Sequence, residues 1–108
     1  MKVFGYTRVS TADQAAEGVS LDAQTDRINA WCRLKGDSFE LAEVFVDAGL
    51  SGKRSDNRPG LQSALESVSE ARGILVVYSL SRLARSVPDA YSILQRLDKA
   101  GAHLVSLT

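Results

Sequence analysis

The chain has 108 residues, 44% of them hydrophobic, and its 13 basic and 13 acidic side chains give a net charge of zero. These values are typical of one soluble globular domain, without an apolar run that could span a membrane or an N-terminal secretory signal. Charge balance argues against strong nucleic acid binding by this segment alone, because such domains usually carry a basic patch. The single cysteine, Cys32, is interpreted as a buried apolar residue, which is compatible with a reducing cytoplasm.

The chain begins with a largely apolar segment, residues 2–5, which predicts the first strand of a sheet. Directly after it come Tyr6, Arg8 and Ser10. Alternation along a strand places these side chains on one face, and the C-terminal end of a strand in an open parallel sheet borders the ligand-binding crevice. A phenol, a guanidinium and a hydroxyl there favour a site for attack on a phosphate. The ordinary alternative is an arginine at a strand end and a serine that caps a turn.

Residues 11–18 are small and polar and predict a loop. Ser20 is a suitable N-cap for a helix over Leu21–Lys35 that stops at Gly36. Helical spacing places five residues on one face of it, namely Leu21, Gln24, Ile28, Trp31 and Cys32. Gln24 is the polar exception, and it is interpreted either as a boundary residue or as a polar support for the nearby site.

Residues 39–46 predict a second strand, after which a long loop runs from Asp47 to Pro59 with two glycines and five charged residues. Loops of this length inside a compact domain are often functional, although a mobile surface connection is the ordinary alternative. Pro59 suits the first turn of a helix, and the apolar spacing that follows predicts a helix that ends at Gly73.

An uninterrupted apolar run over residues 74–78 predicts a strand that is covered on both faces. The next segment, residues 79–86, carries Arg82 and Arg85. These two arginines are three residues apart and would share one face if the segment forms a helix.

Ser86 and Asp89 resemble a capping box, and Pro88 suits a first helical turn. They predict another helix, followed by a fourth strand over residues 102–107. The inward residues of that helix are expected to be Ile93, Leu94 and Leu97. The single histidine, His103, lies in the predicted strand and is interpreted as structural.

Alternation of strand and helix predicts an α/β fold, with a mostly parallel open sheet of about four strands and helices on both faces. The first strand then ends at Arg8 and Ser10, the second at Asp47, and the third near Arg82 and Arg85. Because the C-terminal ends of parallel strands lie along one edge of a sheet, we expect these residues to meet there.

The residue types at this edge favour phosphoryl transfer, which depends on positioning and on neutralising charge around the phosphate. Arginine provides permanently charged, forked donors for this purpose. Serine is a weak nucleophile at its free pKa, and no histidine is placed to activate it. No paired carboxylates or Cys/His cluster indicate a metal site, and no Gly-rich phosphate loop indicates a nucleotide site.

Five motifs occur along the chain in one order, and they span essentially its whole length. They are Tyr6-Thr-Arg8-Val-Ser10, Ser20-Leu-Asp-Ala-Gln24, Asp47-Ala-Gly-Leu-Ser51-Gly52, Asn57-Arg58-Pro59-Gly60-Leu61 and Leu80-Ser-Arg82-Leu-Ala-Arg85-Ser86. Together they closely resemble the catalytic domain of the serine recombinases, the family of resolvases, invertases and large serine integrases.

The resemblance implies site-specific DNA recombination, in which a serine nucleophile cleaves and rejoins DNA through a covalent 5′-phosphoserine intermediate. The nucleophile would be Ser10. The phosphate contacts would come from Arg8, Arg82 and Arg85, with assistance from Arg58. The residues that order the site would be Tyr6, Gln24, Asp47 and Ser51.

The resemblance also implies the partners of the reaction. These are double-stranded DNA recombination sites and, in the complete protein, a homodimer that assembles into a synaptic tetramer. The resemblance further implies a reaction that needs no metal and no cofactor, and the lack of a long apolar run predicts no membrane partner. Residues 1–108 would be the N-terminal catalytic domain, which stops before the long dimerisation helix and the DNA-binding region of the family.

This chain departs from the family pattern at Ser81, where many members have an aspartate before the first arginine of the motif. A serine hydroxyl does not titrate near neutral pH, so we expect Ser81 to cap a helical turn and hold Arg82 and Arg85 on one face.

Two other classes of protein remain open. One is a non-catalytic, resolvase-like module for dimerisation or interaction, which the presence of Ser10 and the arginines disfavours. The other is a small-ligand α/β module such as a flavodoxin-like domain, since a fold does not fix a function.

Overall fold

A computed structural model describes residues 1–10, 20–50 and 58–108. Within these ranges the strands are β1 (Lys2–Ser10), β2 (Glu40–Leu50), β3 (Ile74–Val77) and β4 (His103–Ser106). The helices are α1 (Leu21–Lys35), α2 (Pro59–Ala71), α3 (Leu80–Leu83) and α4 (Val87–Ala100). No helix among the described residues is long and apolar enough to cross a membrane.

The sheet is parallel throughout, in the strand order β2-β1-β3-β4. The predicted α/β class is therefore confirmed. The strand β1 pairs with β2 along its whole length but pairs with β3 only from Val3 to Tyr6. Its last residues consequently extend past the end of β3, and they need another partner for their backbone groups on that side.

Helices cover both faces of the sheet, as predicted, and alternation along β1 divides its side chains between them. Phe4 and Tyr6 enter a core that α2, α3 and α4 cover, whereas Val3 enters a second core against Ile28 and Cys32 of α1. Tyr6 is thus a core residue as well as a neighbour of the predicted site.

The helix α1 follows its sequence signals. The Ser20 hydroxyl accepts a hydrogen bond from the Ala23 N–H at 3.1 Å, and Gly36 ends the helix with φ of 86°. The helix α2 is predicted to end at Gly73; it ends at Ala71, and the next residue, Arg72, is left-handed with φ of 51°. Gly73 instead permits a close approach, since a Cβ there would lie 2.3 Å from the Lys2 carbonyl oxygen.

The prediction that a loop begins at Asp47 is wrong, because β2 continues to Leu50. Pairing with the extended end of β1 holds this segment in the sheet, with Asp47 opposite Arg8 in the register. Tertiary pairing therefore overrides the local glycine signal. The rest of that predicted loop, residues 51–57, lies outside the described residues.

The prediction that Arg82 and Arg85 share one helical face is also wrong. Only one helical turn, α3, forms after β3, and Ala84 is extended with φ of −127° and ψ of 149°. Leu94 of α4 is likewise not inward, since it is 44% exposed while Ile93 and Leu97 are buried. Ile93 and Leu97 are four residues apart and lie on one helical face, whereas Leu94 is rotated by about 60° from Leu97 and about 100° from Ile93.

Candidate active site at the end of the central strand

The C-terminal end of β1 is where the predicted site residues gather. Arg8 lies opposite Asp47 in the parallel ladder, and the backbone of Ser10, the last residue of β1, pairs with Leu50. The predicted site residue Ser51 lies outside the described residues. The predicted edge, where the C-terminal ends of the parallel strands lie together, is therefore present, and the ends of β1 and β2 form it.

Gln24 fixes the backbone of β1 beyond the end of β3. Its Oε1 accepts a hydrogen bond from the Arg8 N–H at 3.2 Å, and its Nε2 donates to the Arg8 carbonyl at 3.1 Å. The side chain is fully buried, so Gln24 is not a boundary residue. Its amide supplies the donor and the acceptor that a neighbouring strand would otherwise supply, and this satisfies partly buried backbone groups that are costly to leave unpaired.

Asp47 caps the start of α2 from the neighbouring strand. Its carboxylate accepts hydrogen bonds from the Gly60 N–H at 2.8 Å, the Leu61 N–H at 3.0 Å and the Tyr6 hydroxyl at 2.7 Å. The N-cap residue itself, Arg58, makes no side-chain cap bond. A buried carboxylate at a helix N-terminus is favourable because it meets free N–H groups and the positive end of the helix dipole.

The Tyr6 hydroxyl serves this carboxylate and is not available for proton transfer. Burial raises its pKa far above the ordinary range, and the hydrogen bond to Asp47 and the charge of Asp47 raise it further. Tyr6 therefore stays protonated at neutral pH. It acts as a positioning group that joins β1 to β2 and to the start of α2.

Gly60 allows α2 to approach β2 this closely. A Cβ at this position would lie 2.6 Å from the Val46 carbonyl oxygen and 2.9 Å from Asp47 Oδ1. Any side chain would push the helix start away from the carboxylate that caps it. Because Arg58 immediately precedes α2, the same contact determines where the Arg58 side chain begins.

Arg8 and Arg58 converge on the single turn α3. Arg8 Nε donates to the Arg82 carbonyl at 3.0 Å, and Arg8 Nη2 donates to the Ser81 carbonyl at 2.5 Å. Arg58 Nη1 donates to the Leu83 carbonyl at 2.9 Å. Three consecutive carbonyls at the end of a short helix, which have no partners within the helix, thus receive arginine N–H groups.

Arg82 and Arg85 occupy different environments. Arg82 is 2% exposed and lies within α3, whereas Arg85 follows the extended Ala84 and is exposed. The turn that Arg8 and Arg58 hold is therefore the turn that carries Arg82. Arg85 lies on the connection to α4, so its position depends on that connection rather than on a shared helix.

The expected capping role of Ser81 is wrong. The N-cap of α3 is Ser79, and Ser81 is the second residue of the turn, so its side chain is past the position where a cap acts. Its hydroxyl lies 2.9 Å from the Ser79 hydroxyl, on the exposed side. What Ser81 contributes to the site is its backbone carbonyl, which Arg8 binds.

The sequence pattern indicates Asp89 only as part of a capping box. The Ser86 hydroxyl does accept a hydrogen bond from the Asp89 N–H at 3.2 Å. The Asp89 carboxylate, however, accepts from the Arg85 N–H at 3.0 Å and forms an ion pair with Arg58 at 2.9 Å. The spacing predicted the helix start, but the arginine partner comes from a distant part of the chain and has no local signal.

The pKa of Asp89 lies below its ordinary value. Burial opposes this shift, but it is outweighed by the hydrogen bonds from the Arg85 N–H and from Arg58 and by the positive charges of both residues. The carboxylate is therefore ionised at neutral pH and holds two cationic residues. Among the described residues, no group of three His, Cys, Asp or Glu side chains is placed to hold a metal ion.

The described geometry defines an open, parallel α/β domain with arginines collected at the end of its central strand. A family profile described as "Resolvase, N terminal domain" matches residues 3–108. The chain therefore belongs to this family, and the predicted resemblance is confirmed.

Named relatives agree with this assignment. The chain is 38% identical over 108 residues to the "DNA-invertase hin" of Salmonella typhimurium, which covers 100% of this chain and 48% of that protein. It is 36% identical over 107 residues to the "Transposon Tn552 resolvase" of Staphylococcus aureus, and the aligned region covers 99% of this chain and 46% of that protein. The chain thus spans about half the length of these curated relatives.

Solved structures with the same fold include the N-terminal catalytic domain of TP901-1 integrase. That structure superposes with a TM-score of 0.81 at 36% identity, covering 99% of this chain and 78% of the other. A resolvase family site-specific recombinase from Streptococcus pneumoniae has a TM-score of 0.79 at 32% identity, covering 99% and 72%. These likenesses confirm the predicted resolvase-like core.

Proposed function

We propose that this chain is the catalytic part of a site-specific DNA recombinase in which Ser10 attacks a DNA phosphate. The observation that carries the proposal is the convergence of Arg8 and Arg58 on the turn that holds Arg82, at the end of the strand that Ser10 terminates. Relatives named as an invertase and a resolvase support DNA as the substrate.

In the proposed reaction the Ser10 oxygen forms a bond to phosphorus, and the bond from phosphorus to the 3′ oxygen breaks. The serine loses its proton, the departing 3′ oxygen gains one, and the 5′ end stays joined to the protein as a phosphoserine ester. The reverse attack by a 3′ hydroxyl rejoins a strand. One phosphate ester replaces another at each step, so no nucleoside triphosphate, cofactor or metal is needed in this scheme.

The arginines supply the charge that such a transfer requires. A guanidinium has five N–H groups, and the bonds of Arg8 to Arg82 and Ser81 use two of them. Arg8 can therefore hold α3 in place and still donate to a phosphate oxygen. The Arg58 guanidinium lies beside it on the same turn and adds a second positive charge. Charge stabilisation of this kind acts most strongly in the transition state.

The supporting residues hold these donors in position. Gln24 fixes the Arg8 backbone, and Asp47 with Tyr6 fixes the start of α2 and hence Arg58. Arg85 is proposed as a further phosphate contact. Ser51 is proposed to help order the site.

The proposed substrates are double-stranded recombination sites, and the proposed assembly is a homodimer that pairs into a synaptic tetramer. Residues 1–108 are proposed as the N-terminal catalytic domain, acting in the cytoplasm. With a net charge of zero, this segment alone is expected to bind DNA weakly and without sequence preference.

The test uses the full-length protein and a nicked suicide substrate from which the cleaved end diffuses away. A protein–DNA adduct on a denaturing gel is expected for the natural sequence and is expected to disappear in Ser10→Ala. An adduct that persists in Ser10→Ala would exclude Ser10 as the nucleophile. A natural protein that synapses DNA without forming any adduct would favour the non-catalytic module.

A further inference from the structure

We infer that Asp89 is a positioning residue for strand cleavage, which holds Arg58 and the backbone at Arg85 at one point so that both arginines reach the same phosphate. The inference rests on the proposed function, because it gives these two arginines a shared ligand. It adds to the site a residue that lies outside the five motifs described for this chain.

The Asp89 carboxylate uses both oxygens to make this link. Oδ1 accepts a hydrogen bond from Arg58 Nη2 at 3.1 Å, and Oδ2 lies 2.9 Å from the same nitrogen. Oδ2 also accepts from the Arg85 N–H at 3.0 Å. One side chain therefore joins the residue before α2 to the connection between α3 and α4.

The arrangement differs from the one that helix capping requires. In a capping box the acidic side chain accepts from the N–H of the N-cap residue, which here is Ser86. The Asp89 carboxylate reaches one residue further back, to Arg85, and turns toward Arg58. The Ser86 hydroxyl already serves the start of α4 by accepting from the Asp89 N–H. The start of α4 therefore does not require the Asp89 carboxylate, which can bind Arg58 instead.

The environment makes this contact stronger than an ordinary surface ion pair. The Arg58 side chain is 7% exposed and the Asp89 side chain is 21% exposed, so the solvent screens the pair incompletely. Arg58 has a second anchor at the Leu83 carbonyl. Between these two anchors its guanidinium has one orientation, and loss of the carboxylate would free one end of it.

The inference predicts a defect in cleavage that is separate from DNA binding. In the full-length protein, Asp89→Asn keeps an acceptor for the Arg85 N–H but removes the ion pair, and Asp89→Ala removes both. We expect cleavage of the suicide substrate to slow by about 10- to 100-fold in each variant, as displaced reacting groups typically do. Affinity for the uncleaved site, measured by gel shift, should stay within about twofold, since each variant leaves every arginine in place.

Asp98→Asn is the matched control, because it makes the same change in the same helix at an exposed position. The hydrogen bond described for Asp98 involves its backbone carbonyl and not its carboxylate. This variant should cleave at the natural rate. A defect in Asp98→Asn as large as that in Asp89→Asn would overturn the inference, because it would trace the loss to helix charge rather than to the link.

A double variant separates positioning from general stability. If Asp89 acts through Arg58, the rate of Arg58→Ala with Asp89→Asn should equal that of Arg58→Ala alone. Losses that multiply would overturn the inference. A cleavage rate of Asp89→Asn equal to that of the natural protein would also overturn the inference. If the natural protein forms the Ser10 adduct, the proposed function would stay intact in that case. Absence of the adduct in the natural protein would overturn both together.

Discussion

The side-chain amide of Gln24 forms a pair of hydrogen bonds with the backbone of Arg8, one to its N–H and one to its carbonyl. This pair continues the sheet at the point where β3 has ended, so a residue of α1 takes the place of a strand. Two residues after Arg8 the strand ends at Ser10. The direction in which the end of β1 points therefore depends on this buried amide on one side and on the pairing with β2 on the other.

Gln24→Leu should destabilise the protein and slow cleavage. The substitution keeps the volume of the side chain but leaves the partly buried N–H and carbonyl of Arg8 without their amide partner, at a cost of up to about 1–3 kcal/mol each. Urea denaturation would measure the change in the free energy of unfolding. Gln95→Leu is the control, since Gln95 is exposed and bonds Tyr91 on the same helix, and its effect should stay within about 0.5 kcal/mol. Equal effects of the two variants would contradict the role given to Gln24.

Tyr6→Phe should lower stability without changing the pH dependence of cleavage. It removes the hydrogen bond to Asp47, worth about 1.5–3 kcal/mol for a charged acceptor. Because the phenol stays protonated, the pH profile of the cleavage rate between about pH 6 and 9 should keep its shape. A profile that loses a limb in Tyr6→Phe would show that the hydroxyl transfers a proton.

Tyr6 also predicts how stability varies at alkaline pH. The pKa of Tyr6 in the folded protein lies above its unfolded value of 10.0. The contribution of Tyr6 to the free energy of unfolding is therefore complete below pH 10.0, and it is lost as the pH rises toward the folded pKa. The free energy of unfolding should therefore fall above about pH 10 and fall less steeply in Tyr6→Phe. Tyr91→Phe, an exposed control, should follow the natural protein. Parallel curves for the natural protein and Tyr6→Phe would contradict the shift.

Gly60→Ala should weaken the joint between α2 and β2. The added Cβ would lie 2.6 Å from the Val46 carbonyl oxygen, so the helix start must move away from Asp47. Overpacking of this kind costs about 1–3 kcal/mol, and the shift would also displace Arg58. Thermal or urea unfolding and the cleavage rate would both report it. Ser63→Ala, on the exposed side of the same helix, should be silent in both measurements.

Local signals predicted those elements of the fold that local chemistry determines. The helix α1 has its cap at Ser20 and its stop at Gly36, and β3 is an apolar run, so each appears in the structure near its expected bounds. Long-range partners determine the rest. The strand β2 extends past Asp47 because β1 is there to pair with it, and no local pattern carries that information.

The candidate site divides in the same way. Residue types and their order predicted Arg8 and Arg82 at one edge of the sheet, and the structure agrees. Arg58 is expected there only from the family resemblance, and its hydrogen bond to the Leu83 carbonyl brings it to the same turn. Their partners could not be predicted, because backbone carbonyls of α3 are acceptors whatever the sequence is. Arg85 does not lie on the expected helical face because Ala84 is extended and the helical turn has already ended. The three-residue spacing of the arginines carries no information about where the turn ends.

Ser81→Ala should leave cleavage within about threefold of the natural rate, since a defect of that size is below 1 kcal/mol in the barrier. The Ser81 hydroxyl lies on the exposed side near Ser79, while its backbone carbonyl, which the substitution preserves, accepts the bond from Arg8. Arg8→Ala removes that bond together with the proposed phosphate donor and should slow cleavage by roughly 100- to 1000-fold. Arg8→Lys keeps the charge but lacks the planar guanidinium that donates to two carbonyls at once. Its cleavage rate should therefore remain well below that of Ser81→Ala. The measurement is single-turnover cleavage of the suicide substrate by the full-length protein. If Ser81→Ala were as slow as Arg8→Ala, the hydroxyl itself would take part in the chemistry, and the role assigned to the carbonyl would be wrong.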